Sequence, residues 1–189
     1  MEVSSLSQSD APLVKRAQQG DQAAFSALYD RYYDAVYTYL YYRVGDVALA
    51  EDLTADVFVR LVKAIQSFTP EGKPILAWLY TIAANLLTDH RRKNGRYTWL
   101  PLDETLTAGE SDPSRLTQQN WQQGRLLAAL QELTEEQRLV VLLKFVEKQS
   151  NAAIGDILGK TEGAVKSLQH RAIDSLRRIL ERDGIVHEM

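Results

Sequence analysis

Apolar residues recur at three- and four-residue spacing through most of this chain, which is typical of amphipathic helices. Before residue 95 the pattern predicts four helices. The first begins near Asp10 and Pro12 and ends at Gly20, and the fourth begins near Ile75. Residues 69–74 are predicted to form a loop, because two prolines and a glycine cannot continue a helix. Two inward stripes are expected from the second and third helices: Phe25, Leu28, Tyr29, Tyr32, Val36, Leu40, and Leu49, Leu53, Val57, Leu61, Ile65.

The periodicity fails between residues 96 and 115, where prolines, a glycine and acidic residues predict a flexible acidic linker. Helical patterns then resume. Thr134 and Gln137 match a capping box, which predicts a helix beginning there. The inward residues expected in this part are Trp121, Leu126, Leu130, Leu133, Val140, Leu143 and Val146. The predicted fold is all-α, with small helical domains at 10–95 and 116–182 joined by the linker 96–115.

Two short helical patterns, 150–159 and 161–172, are joined by a turn at Gly159. This is a helix-turn-helix pattern, and such motifs place their second helix in the major groove of DNA. Val165, Leu168, Ala172 and Leu176 are expected on its packed side. The residues predicted to face DNA are Lys160, Lys166, Ser167, Gln169, His170 and Arg171. Basic side chains suit guanine or phosphate, and a glutamine can pair with adenine.

Basic residues are segregated on a chain whose net charge is only −3. One cluster lies at 91–96 and a second is spread over 160–182, with acidic residues between them. Two separate basic surfaces on an acidic chain indicate two weak DNA contacts that depend on a larger partner. Either cluster alone is equally compatible with an ordinary solvated face.

Composition excludes several classes of function. The 189 residues include no cysteine, which removes disulfides and thiolate metal sites, and the three histidines lack ligand spacing. Adjacent carboxylates such as Glu51 and Asp52 point about 100° apart around a helix, and no nucleophile has a base at a recognisable spacing. We therefore expect no enzyme activity, metal or cofactor. No apolar run approaches the ~20 residues needed to span a membrane, and no secretion signal is evident. We therefore expect a cytoplasmic protein without membrane insertion.

Three segments together resemble the extracytoplasmic-function (ECF) subfamily of bacterial RNA polymerase sigma factors. They are Ala50-Glu-Asp-Leu-Thr-Ala-Asp-Val-Phe-Val-Arg-Leu61, then Trp78-Leu-Tyr-Thr-Ile-Ala-Ala-Asn85 continuing through Asp89 to Arg92, and the helix-turn-helix. The resemblance covers about residues 10 to 182. It implies a four-helix sigma2-like bundle, a sigma4-like helix-turn-helix domain, and an alternative sigma factor that directs promoter-specific transcription initiation by core RNA polymerase.

The resemblance also implies particular surfaces. The third helix is similar to the one that contacts the polymerase clamp, and it displays Asp52, Asp56, Arg60 and Lys63. The fourth is similar to the helix that opens and reads minus-10 promoter DNA. Its candidate DNA residues are Trp78, Asn85, Asp89, Arg91 and Arg92, together with Phe68 from the preceding loop. The helix-turn-helix would read the minus-35 element, and an anti-sigma factor is an implied partner.

The chain departs from the usual family pattern at several positions. The loop from Phe68 to Trp78 is one residue longer. Leu168 replaces a commonly basic residue, and Asn151 and Gly155 stand where an aromatic residue and alanine are frequent.

Two other classes of protein compete with this interpretation. A LuxR-like transcription factor has a similar C-terminal helix-turn-helix, but its receiver domain would show alternating strands and helices before residue 95. An all-helical adaptor would need no DNA. Only a sigma factor is required to co-purify with core polymerase. The segment from Gly155 to Thr161 contains two glycines before Lys160 but is not expected to be a phosphate-binding loop, because its glycine spacing is one residue short and no strand precedes it.

Overall fold

The computed structural model describes residues 10–69, 73–94 and 124–182. In these ranges the chain forms eight α-helices and no strand, which confirms the all-α prediction. The helices are α1 (Ala11–Gln18), α2 (Gln22–Val44), α3 (Val47–Ala64), α4 (Ile75–Asn94), α5 (124–132), α6 (Glu135–Val141), α7 (Asn151–Leu158) and α8 (Glu162–Arg182). The predicted linker 96–115 and Trp121 lie outside the described residues.

Side-chain caps and glycines set the ends of the N-terminal helices. The Asp21 carboxylate accepts hydrogen bonds from the backbone N–H groups of Ala23 and Ala24, so α2 begins there. It ends at Gly45, whose φ of 68° is left-handed and costs glycine little. Asp46 then caps α3 in the same way as Asp21 caps α2. The predicted breaks between these helices are therefore confirmed.

The N-terminal helices α1 to α4 pack around apolar stripes close to those expected. Leu28, Tyr32, Val36 and Leu40 are fully buried on α2. The prediction was wrong for Tyr29, which is 43% exposed. Tyr29 follows Leu28 directly and is therefore offset from it by about 100° around the helix, toward the edge of the buried stripe.

Arg138 is a buried cation that joins the end of α5 to α6. It is 7% exposed, and its guanidinium donates hydrogen bonds to the carbonyl oxygens of Leu130, Gln131 and Leu133 at 2.7–3.0 Å. Burial lowers the pKa of Arg138, with the positive charge of Arg91 as a further cause. The side chain thus satisfies carbonyls that the end of a helix leaves without partners.

A wide turn at Leu142–Val146 follows α6 and changes the helical register. The N–H of Glu147 bonds to the carbonyl of Leu142, five residues earlier, at 3.0 Å. The capping box of Thr134 and Gln137 is present as predicted, and Val140 and Leu143 are buried. Val146 was expected inside but is 40% exposed, because the wider turn rotates it away from the α6 stripe. The inward prediction was also wrong for Leu126, on α5, which is 39% exposed.

The N-terminal helices contact the C-terminal helices through a charged pair. The Tyr39 hydroxyl of α2 donates to Glu135 Oε1 of α6 at 2.9 Å, and Arg43 forms an ion pair with the same carboxylate. The Arg43 guanidinium also lies 4.2 Å from the centre of the Tyr39 ring. Arg43 is only 5% exposed, and burial lowers its pKa to about 10. The contact therefore holds a largely desolvated cation between the two groups of helices.

Candidate nucleic-acid interface

The turn between α7 and α8 depends on two glycines. Gly159 has a φ of 65°, a left-handed conformation that side chains other than glycine rarely adopt. A Cβ added to Gly155 would lie 2.5 Å from the carbonyl oxygen of Lys160, closer than real Cβ atoms come to an oxygen. The backbone N–H of Lys160 bonds to the carbonyl of Gly155 at 2.8 Å across this approach. The two glycines thus allow α8 to leave α7 at a close, fixed angle.

Helix α8 separates a packed side from a polar side. Val165, Leu168 and Ala172 are buried, and Leu176 is half-buried. Four of the residues predicted to contact minus-35 DNA are exposed: Lys166, Ser167, His170 and Arg171. The hydrogen bonds of Ser167 and Arg171 go to backbone carbonyls of α8 itself. This side of α8 therefore presents two basic side chains, a hydroxyl and an imidazole to solvent.

Two other residues of the predicted minus-35 set have partners within the protein. Lys160 Nζ lies 3.0 Å from Glu136 Oε1, so this cation pairs with a carboxylate of α6. Gln169 is half-buried, and its Nε2 donates to Asn151 Oδ1 on α7 at 2.9 Å. The sequence pattern assigned Gln169 to a base without revealing that a second amide holds it.

The aromatic residues predicted to meet minus-10 DNA are stacked on each other. The rings of Phe68 and Trp78 have centroids 4.6 Å apart and an interplanar angle of 23°. Both are partly buried against the core. The Gln18 amide of α1 donates to the carbonyl oxygens of Ile65 and Phe68 at 3.0 and 2.8 Å. Gln18 therefore fixes the backbone that carries Phe68, a role that no local sequence pattern predicts.

The polar residues of α4 form a short row beyond the aromatic pair. Asn85 is exposed one and two turns before the charged residues Asp89, Arg91 and Arg92. Asp89 lies 3.3 Å from Arg92 on the same helix and 3.6 Å from Arg60 on α3. The predicted minus-10 row and the predicted polymerase face therefore share an edge at Asp89.

The predicted polymerase face lies on the outer side of α3. Asp52, Asp56, Arg60 and Lys63 are all exposed, while Leu53, Val57 and Leu61 are buried beneath them. The face mixes acidic and basic side chains along successive helical turns. Such an arrangement suits a polar contact with a large partner more than it suits phosphate alone.

A tyrosine row beside this face was not predicted. Tyr29, Tyr33, Tyr37 and Tyr41 are four residues apart on α2, with successive ring centroids 5.1–6.1 Å apart. The i, i+4 spacing of these tyrosines in the sequence is the signal that indicates one shared face. At one end, Phe25, Tyr29, Phe58, Leu61 and Val62 line a groove of about 270 Å³.

Within the described residues, no group of histidine, aspartate and glutamate side chains could hold a metal ion. In the same part of the chain, no helix combines the length and apolar character needed to cross a bilayer.

Two family models match the chain in separate segments. Sigma-70 region 2 matches residues 28–97, which include most of α2 and all of α3 and α4. Sigma-70 region 4 matches residues 129–178, which include the helix-turn-helix. These matches define a two-part helical transcription protein.

Curated relatives place the chain more closely. It is similar to the ECF RNA polymerase sigma factor BldN of Streptomyces coelicolor, with 42% identity over 174 residues; the match covers 91% of this chain and 66% of that protein, slightly less than two thirds. The ECF RNA polymerase sigma factor SigW of Bacillus subtilis is 31% identical over 88% of this chain and 94% of its own length. The chain belongs to the ECF family of RNA polymerase sigma factors.

Solved structures show the same fold at lower identity. CnrH in complex with the cytosolic domain of CnrY has a TM-score of 0.63 and 24% identity, covering 92% of this chain and 98% of that chain. RpoE in complex with the anti-sigma factor NepR from Bartonella quintana has a TM-score of 0.56 and 23% identity, covering 83% and 96%. Both likenesses concern the arrangement of the helices.

Proposed function

We propose that this chain binds core RNA polymerase and directs it to specific promoters, with no catalysis of its own. The observation that carries the proposal is the polar side of α8, where Lys166, Ser167, His170 and Arg171 are exposed beside a tight turn in a chain of the ECF family. A helix presented in this way suits the major groove, where its early residues meet base edges. We assign this surface, with Lys160 and Gln169, to minus-35 duplex.

The N-terminal helices supply the other two contacts in this proposal. Asp52, Asp56, Arg60 and Lys63 form the polar face for the polymerase clamp. The row from Trp78 through Asn85 to Arg92, with Phe68, meets minus-10 DNA as it opens. Unpaired bases stack on aromatic rings, amides read their edges, and arginines bind the backbone. The domain boundaries 10–95 and 116–182 belong to the same proposal.

An anti-sigma factor is a proposed regulatory partner. The relative RpoE of Bartonella quintana has been solved with the anti-sigma factor NepR. In this chain the α3 face is exposed and the neighbouring apolar groove is open to a partner. A protein that covered this surface would compete with core polymerase.

The test is run-off transcription with core polymerase and full-length protein, followed by mapping of the start sites. Lys166→Ala and Arg171→Ala are expected to reduce open-complex formation on those promoters about tenfold, since a good base contact contributes about 1–3 kcal/mol. Lys15→Ala is the matched control, because it removes one exposed positive charge from α1. All three variants are expected to bind core polymerase normally.

Two results would contradict the proposal. Equal loss of polymerase binding in Lys166→Ala and Arg171→Ala would show that the surfaces are assigned wrongly. A free protein that ignores core polymerase yet protects a duplex tightly by itself would favour the LuxR-like class of transcription factor.

A further inference from the structure

The two helices of the helix-turn-helix are joined by a pair of side-chain amides. Asn151 is the first residue of α7, and its Oδ1 accepts a hydrogen bond from Gln169 Nε2 of α8 at 2.9 Å. Both side chains are half-buried, so each retains atoms that face solvent. Gln169 lies one turn beyond Lys166 on the same side of α8, within the exposed polar surface.

Asn151 is not needed to start its own helix. The residue before it, Ser150, caps α7 by accepting a hydrogen bond from the Ala153 N–H at 3.1 Å. Asparagine is also a poorer helix former than alanine. The contact to Gln169 is therefore what this side chain contributes at the start of α7.

The pairing determines which end of the Gln169 amide faces outward. Because a carbonyl oxygen accepts from Nε2, the amide must turn one N–H toward α7. When the N–H trans to Oε1 makes this bond, the second N–H lies beside Oε1 and both are left to contact a base. Adenine presents a matching pair in the major groove, with N7 as acceptor and the N6 amino group as donor. The terminal torsion of a glutamine is roughly two-fold, so an unheld amide can rotate by half a turn and exchange its donor and acceptor positions.

We propose that Asn151 is a positioning residue for base reading, which orients Gln169 so that its amide selects an adenine in the upstream promoter element. The proposal rests on the function proposed above, in which α8 enters minus-35 duplex. It adds one specificity-determining contact and extends the reading surface to α7.

The test uses holoenzyme assembled from core polymerase and full-length protein, with promoter templates randomised across the upstream element. Sequencing of the transcripts gives the base preference at every position. Asn151→Ala and Gln169→Ala are each expected to reduce the adenine preference at one and the same base pair about tenfold. The double variant is expected to lose little more than either single one, because the residues act as a unit.

Asn151→Asp tests whether an acceptor oxygen at this position is enough to orient Gln169, or whether the amide of Asn151 is itself needed. A carboxylate can only accept, so it keeps Gln169 in the same orientation. We expect the adenine preference to remain while overall promoter occupancy falls, because the added negative charge repels phosphate. Ala152→Ser is the matched control at the next, exposed position of α7 and is expected to leave the preference unchanged.

Distinct results would overturn the inference. It fails if Asn151→Ala keeps the adenine preference that Gln169→Ala loses, or if Asn151→Asp loses it. It also fails if Asn151→Ala lowers transcription equally from all templates, since that indicates a structural role only. If the unaltered protein supports no initiation with core polymerase, the proposed function itself is wrong.

Discussion

The polar sides of α4 and α8 differ in how their side chains are held. On α4, Trp78 is stacked against Phe68 and Asp89 lies within 3.6 Å of arginines on two helices. Among the described residues of α8, only Gln169 is held by a side chain of the neighbouring helix α7, whereas the side chains of Ser167 and Arg171 bond to the backbone of α8 itself. The α4 side is thus preassembled by contacts between side chains, whereas the α8 side depends on the turn that positions the whole helix.

This difference suits the two kinds of DNA in the proposed function. Duplex DNA is already ordered, so a rigidly placed helix with adaptable side chains can enter its groove. A separated strand is flexible and needs prearranged surfaces on which its bases can stack. Substitutions in the supporting residues of each side should therefore separate the two activities.

The largest effect is expected at the turn that supports α8. Gly155→Ala places a Cβ 2.5 Å from the Lys160 carbonyl oxygen. The backbone must move to relieve this clash. We expect the free energy of unfolding to fall by about 1–3 kcal/mol, toward the upper end of that range. Urea denaturation measures this loss. Minus-35 binding should fall with it.

The matched control for this prediction is Gly163→Ala on α8, where an added Cβ meets nothing within 4 Å. It should stabilise the protein by up to about 1 kcal/mol, because alanine is the better helix former. Equal effects of the two substitutions would show that the close approach at Gly155 does not constrain the turn.

A smaller effect is expected where α1 supports the aromatic pair. Gln18→Leu removes the hydrogen bonds to the carbonyls of Ile65 and Phe68. We expect a destabilisation of about 1–2 kcal/mol, together with weaker minus-10 opening. Permanganate footprinting of unpaired thymines in the holoenzyme complex measures that opening.

Gln66→Leu provides the comparison for Gln18→Leu, since Gln66 is exposed in the short 3₁₀ turn Ile65–Ser67 that precedes Phe68. It should leave promoter opening unchanged. If Gln18→Leu also left opening unchanged while the protein became less stable, the link between α1 and the aromatic pair would be structural alone.

The smallest effect concerns Glu147, near the contact of the two helical groups. Burial raises the pKa of Glu147, and the charge of Asp34 raises it further, while a hydrogen bond with Thr38 opposes the shift. The folded protein therefore holds this proton more tightly than the unfolded chain, in which a glutamate has a pKa of about 4.3. Stability is lost as pH rises from that value through the raised pKa.

Glu147→Gln removes this loss, so the variant should be the more stable protein at neutral pH and the difference should shrink in acid. Thermal unfolding between pH 4 and pH 7.5 measures it. Glu181→Gln is the control, because it removes one carboxylate from an exposed position on α8. If Glu147→Gln raised the stability by the same amount at every pH, the raised pKa of Glu147 would not be the cause.

Local patterns were sufficient for the helices and their caps. Most of the residues that periodicity assigned inward on α2 and α3 are buried, Tyr29 being the exposed exception, and the spacing of Thr134 and Gln137 identified the start of α6. The exposure of Val146 could not be read in this way, because it follows from a wide turn that changes the register within one apolar run.

Contacts between distant segments were beyond the sequence pattern. Asn151 and Gln169 are 18 residues apart, and Gln18 and Phe68 are 50 apart. Each pairing depends on how helices pack, and many polar residues at similar positions simply face water. The residues assigned to DNA could be named from a resemblance, but the residues that hold them required the fold.

The contact of Arg43 with Tyr39 and Glu135 has a geometric consequence for promoter use. The minus-35 and minus-10 promoter elements lie about 25 base pairs apart, which corresponds to about 85 Å at 3.4 Å per base pair. A folded unit of this size is roughly 30 Å across, so two touching units cannot reach both elements at once. In the proposed function, engagement at both ends of a promoter therefore requires Arg43 to be rehydrated, and the holoenzyme has to offset the free energy of separating this contact. We expect unassisted protein, with its helices still joined, to be confined to one element at a time.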